Sequence, residues 1–385
     1  MPFSVREFQA REFRSLKAIA YPMSDLDVFV GVNGAGKTNL YRALELLQSA
    51  AANTLARDLA RDGGLNSAMW AGGRRKGEPA RIRLSVGLAG PEARRATAGL
   101  YRYQVEVGYP PELASAAFMA EPQIKAETIA FVGAARTTRL VDRKDYAVMA
   151  RGEDGRPAPI DMDLLSCETV LGRLEDPSRY PELDAIRRTL LQWRFYHGLR
   201  TDPASPLRQP CAAVATPILA SDGADLAAVF ATLAHIRQDT FDLDRAVDEA
   251  FPGARLVIPP PEQTASFGMS FPEFPHRVFE AHELSDGTLR FLALAGALLA
   301  YRLPPFIALN EPEASLHPDL MEPLARLVAK AAERTQIWLV THSQRLADAI
   351  VAAGVGKVRQ VIKQDGATRI EGLKAWGEFA EDEEA

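Results

Sequence analysis

The feature that most constrains this chain is a glycine-rich segment near its N-terminus. Residues 31–38 read GVNGAGKT and fit the pattern G-x-x-x-x-G-K-[ST] at every fixed position. The apolar run Leu26–Val30 precedes the segment, and a helix is predicted over 38–47. Glycines allow backbone N–H groups to crowd around phosphate oxygens, and a helix N-terminus adds its positive dipole end. The strand–loop–helix pattern therefore predicts a phosphate loop that binds a nucleotide.

The side chains of this loop suit ATP together with Mg²⁺. Lys37 would reach the β- and γ-phosphates, and Thr38 would place its hydroxyl on Mg²⁺. The alternative is a glycine-rich turn that happens to precede Lys-Thr, and the flanking strand and helix weigh against it. The predicted nucleotide-binding residues of the loop are Asn33, Gly34, Ala35, Gly36, Lys37, Thr38 and Asn39.

A second motif places carboxylates at the end of an apolar strand, where residues 306–313 read FIALNEPE. Glu311 is the predicted catalytic base, which takes a proton from the attacking water or holds that water in line, and Glu313 is the alternative. Asn310 stands where an acid usually orients the magnesium shell through its waters. Because an amide can bond a metal-bound water but brings no charge, we expect slow turnover with nucleotide binding retained.

A third motif, ELSDGTLR at residues 283–290, opens a predicted helix. It lies about 25 residues before Asn310 and about 250 residues after the phosphate loop. In ring-forming and RecA-type ATPases the acidic strand follows the loop at a modest distance, with no such segment between them. A Leu-Ser-x-Gly segment shortly before the acidic strand is instead typical of ABC-type ATPases.

Five separated motifs together resemble those of the RecF/SMC-related ABC-type ATPases, and more narrowly those of compact bacterial RecF-like AAA-type ATPases. They are EFRSL before the loop, GKTNL at its end, LSDGTLRFLAL, NEPEASLHP and VTHS. The resemblance covers most of the chain and is thin between about 50 and 180. It implies that two heads sandwich two ATP molecules. Ser285 and Gly287 of one head would then face the γ-phosphate held by the loop of the other.

The resemblance also gives two histidines an expected place. His342 matches the switch histidine that contacts the γ-phosphate, so the predicted catalytic residues are Glu311 and His342. The predicted metal contacts are Thr38 directly and Asn310 through water. His317 fits a loop that crosses the dimer interface, and the alternative is a residue that begins a helix before a proline.

The remaining sequence indicates an α/β fold with a mixed or parallel sheet, and the resemblance implies that this fold is an ABC-type ATPase head. Period-two alternation predicts an antiparallel β subdomain in the first third, and helical spacing over 222–236 and 240–251 predicts a helical lobe. From about 278 strands and helices alternate, which indicates a parallel sheet. The predicted segments are an N-terminal lobe at 1–150, a mainly helical insertion at 151–277, a C-terminal lobe at 278–370 and an acidic tail at 371–385.

The net charge of −5 at first argues against nucleic acid as a partner, but five acids fall in the last eight residues. Residues 74–102 hold eight bases and two acids, and residues 187–208 hold five bases and one acid, interleaved with Trp193, Phe195 and Tyr196. Bases with aromatic side chains engage phosphates and stack on nucleobases, so DNA is a predicted partner. A solvated face or ion pairs within the fold is the alternative.

Other features limit the setting in which the chain works. The longest apolar run, 291–301, is too short for a bilayer that needs about 20 residues. The N-terminus lacks the apolar core of a signal peptide. Cys167 and Cys211 lie far apart without the spacing of metal ligands, so we expect buried thiols. These observations predict a cytoplasmic protein without a membrane partner.

Several functions remain open. The first is a DNA-associated ATPase of repair or genome maintenance, acting as an ATP-dependent homodimer. The second is a sensor ATPase of an anti-phage defence system with a separate protein effector. The third is a slowly hydrolysing, ATP-operated clamp, suggested by Asn310. The motor of a membrane transporter is disfavoured by the SLHP segment and the large middle region.

Overall fold

The computed structural model describes residues 3–74, 77, 79–90, 99–111, 118–152, 155–374 and 377–379. Strands alternate with helices in its second half, and long strands dominate its first part. The strands are β1 Ser4–Phe13, β2 Leu16–Pro22, β3 Leu26–Val30, β4 Arg81–Ala89, β5 Leu100–Gly108, β6 Gln123–Val132, β7 Thr137–Lys144, β8 Ala147–Arg151, β9 Pro157–Pro159, β10 Arg194–Tyr196, β11 Cys211–Ala212, β12 Arg255–Val257, β13 Thr264–Ala265, β14 Gly268–Ser270, β15 Val278–Glu280, β16 Phe306–Asn310, β17 Gln336–Thr341, β18 Lys357–Gln364 and β19 Ala367–Ile370.

The helices range from one turn to four. The α-helices are α1 Lys37–Ala51, α2 Leu55–Arg61, α3 Gly64–Ala68, α4 Val170–Arg173, α5 Pro181–Leu191, α6 Leu226–Ala231, α7 Phe241–Ala250, α8 Asp286–Leu299, α9 Met321–Ala332 and α10 Gln344–Ala352. Short 3₁₀ turns cover Pro206–Arg208, Ala281–Glu283 and Pro318–Leu320, and a π-helical segment, Thr232–Arg237, continues α6. No helix in the described part of the chain combines the length and apolarity needed to cross a membrane.

The chain forms two compact units that are interleaved along the sequence. The first comprises residues 1–24, 31–193 and 359–385, and the second comprises residues 25–30 and 194–358. The units are interleaved because the short stretch 25–30 pairs with strands far along the chain.

An antiparallel sheet organises the first unit. Its strand order is β2-β1-β4-β5-β6-β7-β8-β9. Alternating side chains of β5, among them Tyr103, Val105 and Val107, are fully buried. Helix α1 packs against β1 and β4 with its apolar face. A hairpin of β18 and β19 turns at Asp365 and Gly366, whose φ angles are 51° and 76°. The predicted antiparallel strands are therefore present.

A parallel sheet organises the second unit, in the order β10, β16, β17, β3. Helices α8 and α9 cover it, and α8 is buried along nearly its whole length. Because both faces of the inner strands are covered, β16 and β17 are almost wholly apolar. This arrangement confirms the predicted mixed α/β fold with parallel and antiparallel sheets.

The middle of the chain departs in detail from the predicted helices. The continuous helix expected over 222–236 is six α-helical residues followed by the π-helical segment. Strand β10, which the sequence did not predict, joins the edge of the parallel sheet beside β16. Cys167 and Cys211 are free thiols that are half-buried, less buried than expected.

Candidate active site

The phosphate loop of the first unit curves around the ammonium group of its own lysine. Lys37 is 4 % exposed, and its Nζ donates to the carbonyl oxygens of Gly31 at 2.6 Å and Val32 at 3.0 Å. Gly34 and Gly36 have φ angles of 81° and 96°, a region that glycine enters without strain. The loop thus has the shape that its glycine spacing predicts.

The helix that follows the loop offers N–H groups to an anion. Gly36 precedes α1 and no side chain caps this terminus. The unbonded N–H groups of a first turn, together with the helix dipole, attract a negative group. Thr38, Asn33 and Gly34 are exposed on the loop, and Ala35 is buried beneath it. The predicted loop residues, including half-buried Asn39, are therefore gathered on one short segment.

Side chains outside the motif brace the loop. The hydroxyl of Thr368 donates to the carbonyl oxygen of Ala35 at 2.8 Å and lies 2.6 Å from the hydroxyl of Ser15. Asn39 donates its amide to Ser15 Oγ at 2.7 Å. Thr368 carries no motif, so nothing in its sequence context indicates this role.

In the second unit the predicted base lies on a strained turn. Glu311 follows β16 with a φ angle of 49°, a left-handed conformation that costs a non-glycine residue roughly 1–2 kcal/mol. Its N–H donates to the carbonyl oxygen of Val340 at 2.8 Å. Among the described residues no partner holds its half-exposed carboxylate. That carboxylate is therefore free to act on water.

Asn310, the last residue of β16, carries a buried side-chain oxygen. Within the described residues Oδ1 of Asn310 has no hydrogen-bond partner. A buried acceptor without a donor is costly, and a metal-bound water would supply the missing donor. The side chain therefore fits the predicted contact to Mg²⁺ through water.

Glu313, the alternative base, is held in another arrangement. It is 7 % exposed, and one carboxylate oxygen accepts from the Thr341 hydroxyl at 2.6 Å and from the N–H groups of His342 at 2.9 Å and Ser343 at 3.3 Å. The same oxygen lies 3.1 Å from Nδ1 of His342, whose ring is exposed. Glu313 therefore shapes the turn that presents His342, which favours Glu311 as the base.

The parallel strands bring these groups to one edge of the second unit. Asn310 pairs with Val340, and Thr341 pairs with Val30. Because the carboxyl ends of parallel strands meet at the same edge, Glu311 and His342 leave the sheet on the side where β3 ends. In the chain, Gly31 follows Val30 directly.

The signature segment exposes the start of a long helix. Ser285 is exposed and caps α8, with Oγ accepting from the Thr288 N–H at 3.1 Å. A Cβ on Gly287 would lie 2.9 Å from the carbonyl oxygen of Ser315, so the helix and the following loop approach closely. The buried Arg208 fixes the segment by donating to Asp286 Oδ1 at 2.6 Å and to the carbonyl oxygen of Leu284 at 2.7 Å.

His317 begins a short helical turn, which agrees with the interpretation that it starts a helix before a proline. It precedes Pro318, and its ring nitrogen accepts weakly from the Asp319 N–H at 3.4 Å. Its side chain is largely exposed.

The aromatic side chains of the stretch 187–208 face the interior. Trp193, Phe195 and Tyr196 are 1 %, 3 % and 1 % exposed, respectively. They cannot stack on nucleobases, because they already pack within the protein. For these three residues the alternative interpretation holds, in which the stretch packs within the fold.

A cationic cavity of about 380 Å³ opens on the antiparallel sheet of the first unit. Its charged lining residues are Arg11, Glu12, Lys17, Arg81, Arg83 and Glu106. Glu106 pairs with Arg83 at 2.6 Å and with Arg81 at 3.3 Å. Arg11 and Lys17 are exposed and have no partner among the described residues. Part of the basic stretch 74–102 lies outside the residues that the structure describes. Residues 380–385 of the acidic tail also lie outside them.

Part of the chain matches a family of known proteins. Residues 218–348 match a family described as "AAA domain, putative AbiEii toxin, Type IV TA system". This stretch contains Ser285, Glu311 and His342. We found no significant sequence match to a curated protein.

Solved structures resemble the chain over almost its whole length. An SMC head bound to the C-terminal winged-helix domain of ScpA has a TM-score of 0.55 at 14 % identity, with 95 % of this chain and 96 % of that chain covered. An SMC head from Pyrococcus furiosus, with an extended coiled coil and bound to the C-terminal domain of ScpA, has a TM-score of 0.51 at 14 % identity, with 96 % of each chain covered. An SMC head from Pyrococcus yayanosii, with a coiled coil and joint, has a TM-score of 0.50 at 13 % identity, with 97 % and 98 % covered.

Residues 218–348 thus match an AAA-domain family model, and nearly the whole chain shares the fold of SMC heads. Both findings agree with the predicted resemblance to SMC-related ABC-type ATPases.

Proposed function

We propose that the protein binds and hydrolyses ATP with Mg²⁺, and that two copies sandwich the nucleotide between them. The observation that carries the proposal is the phosphate loop, where the ammonium group of Lys37 lies inside a curve of backbone at an uncapped helix N-terminus. This combination suits the β- and γ-phosphates of a nucleoside triphosphate.

The described side chains fit the metal as well as the nucleotide. Thr38 presents an exposed hydroxyl on the loop, and Asn310 has a buried oxygen without a donor. Mg²⁺, when bound, would offset the negative charge of the phosphates. Thr38 would bind the ion directly and Asn310 would accept from one of its waters.

Glu311 would orient the attacking water and take its proton, because no described residue holds its carboxylate, whereas the Glu313 carboxylate accepts from Thr341. His342 would donate to the γ-phosphate from the turn that Glu313 shapes. In the dimer, Ser285 and Gly287 would meet the γ-phosphate bound by the other copy, where a hydroxyl, N–H groups and a helix dipole end attract an anion.

Turnover and dimer formation test this part of the proposal. Native protein should hydrolyse ATP only with Mg²⁺, and Lys37→Ala should lose nucleotide binding. Glu311→Gln should bind ATP without hydrolysing it and should accumulate as a dimer, whereas Ser285→Arg should bind ATP as a monomer. An absence of nucleotide binding by the native protein would refute the proposal.

DNA is the proposed ligand of the cationic cavity on the antiparallel sheet. Arg11 and Lys17 are exposed there without described partners, and two further arginines line the cavity beside them. Such a surface attracts phosphates of any sequence and predicts binding that weakens with salt. On the basis of this binding, we propose a role in repair or genome maintenance.

Single charge reversals test the DNA contact. Arg11→Glu and Lys17→Glu should each weaken duplex binding and lower DNA-stimulated ATP hydrolysis. Arg61→Glu is the matched control. Arg61 is exposed, its one ion pair among the described residues is long, at 4.0 Å, and it does not line the cavity. Equal losses in all three variants, or no change in hydrolysis with saturating DNA, would contradict the DNA role.

The description of the matched family favours a second candidate. It names a putative toxin of a type IV toxin–antitoxin system, which is compatible with a defence role. In that role this protein would sense a signal with ATP and act with a separate protein effector. A neighbouring gene whose product is toxic only when this ATPase can bind ATP would support that function. A protein that closes on ATP and hydrolyses it slowly, consistent with Asn310, would suit both the DNA role and the defence role.

A further inference from the structure

A buried arginine connects the signature helix to the turn that carries Glu311. Arg290 lies in α8, five residues after Ser285, and is 9 % exposed. Its Nη1 donates to the carbonyl oxygen of Leu199 at 2.7 Å, and its Nη2 donates to the carbonyl oxygen of Glu311 at 3.3 Å. One side chain thus joins the helix, the segment after β10 and the predicted base.

The hydrogen bond from Arg290 is accepted by Glu311, whose backbone is strained. Glu311 has a φ angle of 49°, which a non-glycine residue keeps only where its surroundings fix it. Its N–H is held by the carbonyl oxygen of Val340, and its carbonyl oxygen accepts from Arg290 and from the Ala314 N–H at 3.1 Å. Of these three contacts to the Glu311 backbone, only the one from Arg290 is made by a side chain, and the other two are made by backbone groups.

An arginine suits these two acceptors better than a lysine would. A guanidinium group donates in two directions at once, whereas an ammonium group is a single point on a flexible stem. Burial lowers the pKa of Arg290, and the negative charge of Glu313 works against that shift. Glu313 therefore helps to keep the buried guanidinium charged and able to donate.

We infer that Arg290 is a positioning residue, which holds the backbone of Glu311 in its strained conformation and ties it to the signature helix. The catalytic meaning of this inference rests on the proposed ATPase function, but the positioning itself is a property of the folded chain. Arg290 would not touch the nucleotide, so its loss should change turnover far more than binding.

The test compares Arg290→Met and Arg290→Lys with Arg143→Met. Arg143 is a matched control because it is also buried and donates to the backbone carbonyls of Asp145 and Glu168, away from the motifs. Amide hydrogen exchange of a peptide spanning 309–316, the ATP dissociation constant and kcat are measured for each protein.

Arg290→Met should speed exchange in 311–316 at least tenfold and lower kcat by about tenfold or more, which corresponds to about 1.4 kcal/mol of activation free energy. Its ATP dissociation constant should stay within about threefold of native, and Arg143→Met should leave exchange in this peptide at the native rate. Arg290→Lys, which retains the charge, should recover part of both losses. If Arg290→Met does not fold, Arg290→Lys provides the same comparison against native protein.

Native exchange in 311–316 in a folded Arg290 variant would overturn the inference, as would equal acceleration in Arg143→Met. Faster exchange in the Arg290 variants alone supports the positioning even if native protein hydrolyses no ATP. In that case the proposed function fails and the positioning stands, so the two results are distinguishable.

Discussion

Thr368 and Ala35 are joined by a hydrogen bond of 2.8 Å from the Thr368 hydroxyl to the Ala35 carbonyl oxygen. Because the single hydroxyl proton of Thr368 is used in this bond, its oxygen accepts from Ser15, which in turn accepts from Asn39. A chain of three side chains thus begins and ends on the phosphate loop and its helix. Thr368 and Ser15, which lie outside the motif, therefore brace the loop.

Thr368→Val should loosen this loop while filling the same space. The carbonyl oxygen of Ala35 would lose its donor, and an unsatisfied buried acceptor costs about 1–3 kcal/mol. We expect the affinity for a fluorescent ATP analogue to fall about threefold to tenfold, since part of that cost would appear on binding. Thr368→Ser keeps the hydroxyl and should bind within about twofold of native. Native affinity in Thr368→Val would show that the bond does not shape the site.

Alanine at Gly36 should destabilise the protein more than alanine at Gly34. Both residues have left-handed φ angles, so both variants incur a strain of roughly 1–2 kcal/mol. A Cβ at Gly36 would also lie 1.9 Å from the Thr368 hydroxyl oxygen, whereas a Cβ at Gly34 meets no heavy atom within 4 Å. Urea unfolding without nucleotide should therefore show a larger loss for Gly36→Ala, by about 1 kcal/mol or more. Equal losses would mean that Thr368 moves aside.

Asn310→Asp should increase magnesium-dependent turnover. An aspartate restores the negative charge beside the metal waters, and the buried oxygen of Asn310 has no donor in the described residues to lose. We expect the rate of ATP hydrolysis to rise about tenfold and the Mg²⁺ concentration at half-maximal rate to fall. Asn310→Ala is the control and should not exceed the native rate. An Asn310→Asp rate at or below native would mean that the amide is not what limits turnover.

Glutamine at Glu311 and glutamine at Glu313 should have different effects. Glu311→Gln removes the base and should lower kcat by about 10²–10⁴-fold with ATP still bound. Glu313→Gln keeps an oxygen that can accept from Thr341 and the following N–H groups, so it should retain most of kcat and mainly lower the melting temperature. Single-turnover hydrolysis and thermal unfolding of both variants separate the roles. The reverse result would make Glu313 the base.

Local motifs allowed much of the candidate site to be predicted. The strand before the loop, the helix after it and the exposed cap at Ser285 depend on neighbouring residues, and the parallel sheet follows from the alternation of strands and helices. Contacts between residues that are far apart in the sequence could not be predicted from local motifs. The bond between Thr368 and Ala35 joins residues 333 apart, and neither lies in a pattern that indicates the other.

The basic and aromatic stretch 187–208 shows why composition misled part of the prediction. A buried edge strand and a nucleic-acid surface both combine aromatic residues with arginine. Phe195 pairs with Ala308 across the sheet, and Arg208 uses its donors on the signature segment. Only the tertiary fold decides which way these side chains point.

A buried carboxylate in the first unit gives a prediction about pH. Glu127 is 0 % exposed and accepts from the Tyr103 hydroxyl at 3.0 Å and from the N–H groups of Val170 at 2.6 Å and Leu171 at 3.0 Å. Burial raises the pKa of Glu127 above 4.5, although the N–H groups and the charge of Arg143 act in the opposite direction. The folded state therefore binds this proton more tightly than the unfolded state does.

The sign of the effect follows from that difference. The contribution of Glu127 to stability is fully present below the unfolded pKa and is lost as pH rises through the higher folded pKa. Glu127→Gln has no such loss, so its free energy of unfolding relative to native should increase as pH rises through this window from below 4.5. Urea unfolding of both proteins at a series of pH values from 4 to 8 measures this difference. A relative stability of Glu127→Gln that falls with pH would mean that the N–H donors and Arg143 outweigh burial, and that the folded pKa of Glu127 lies below its unfolded value.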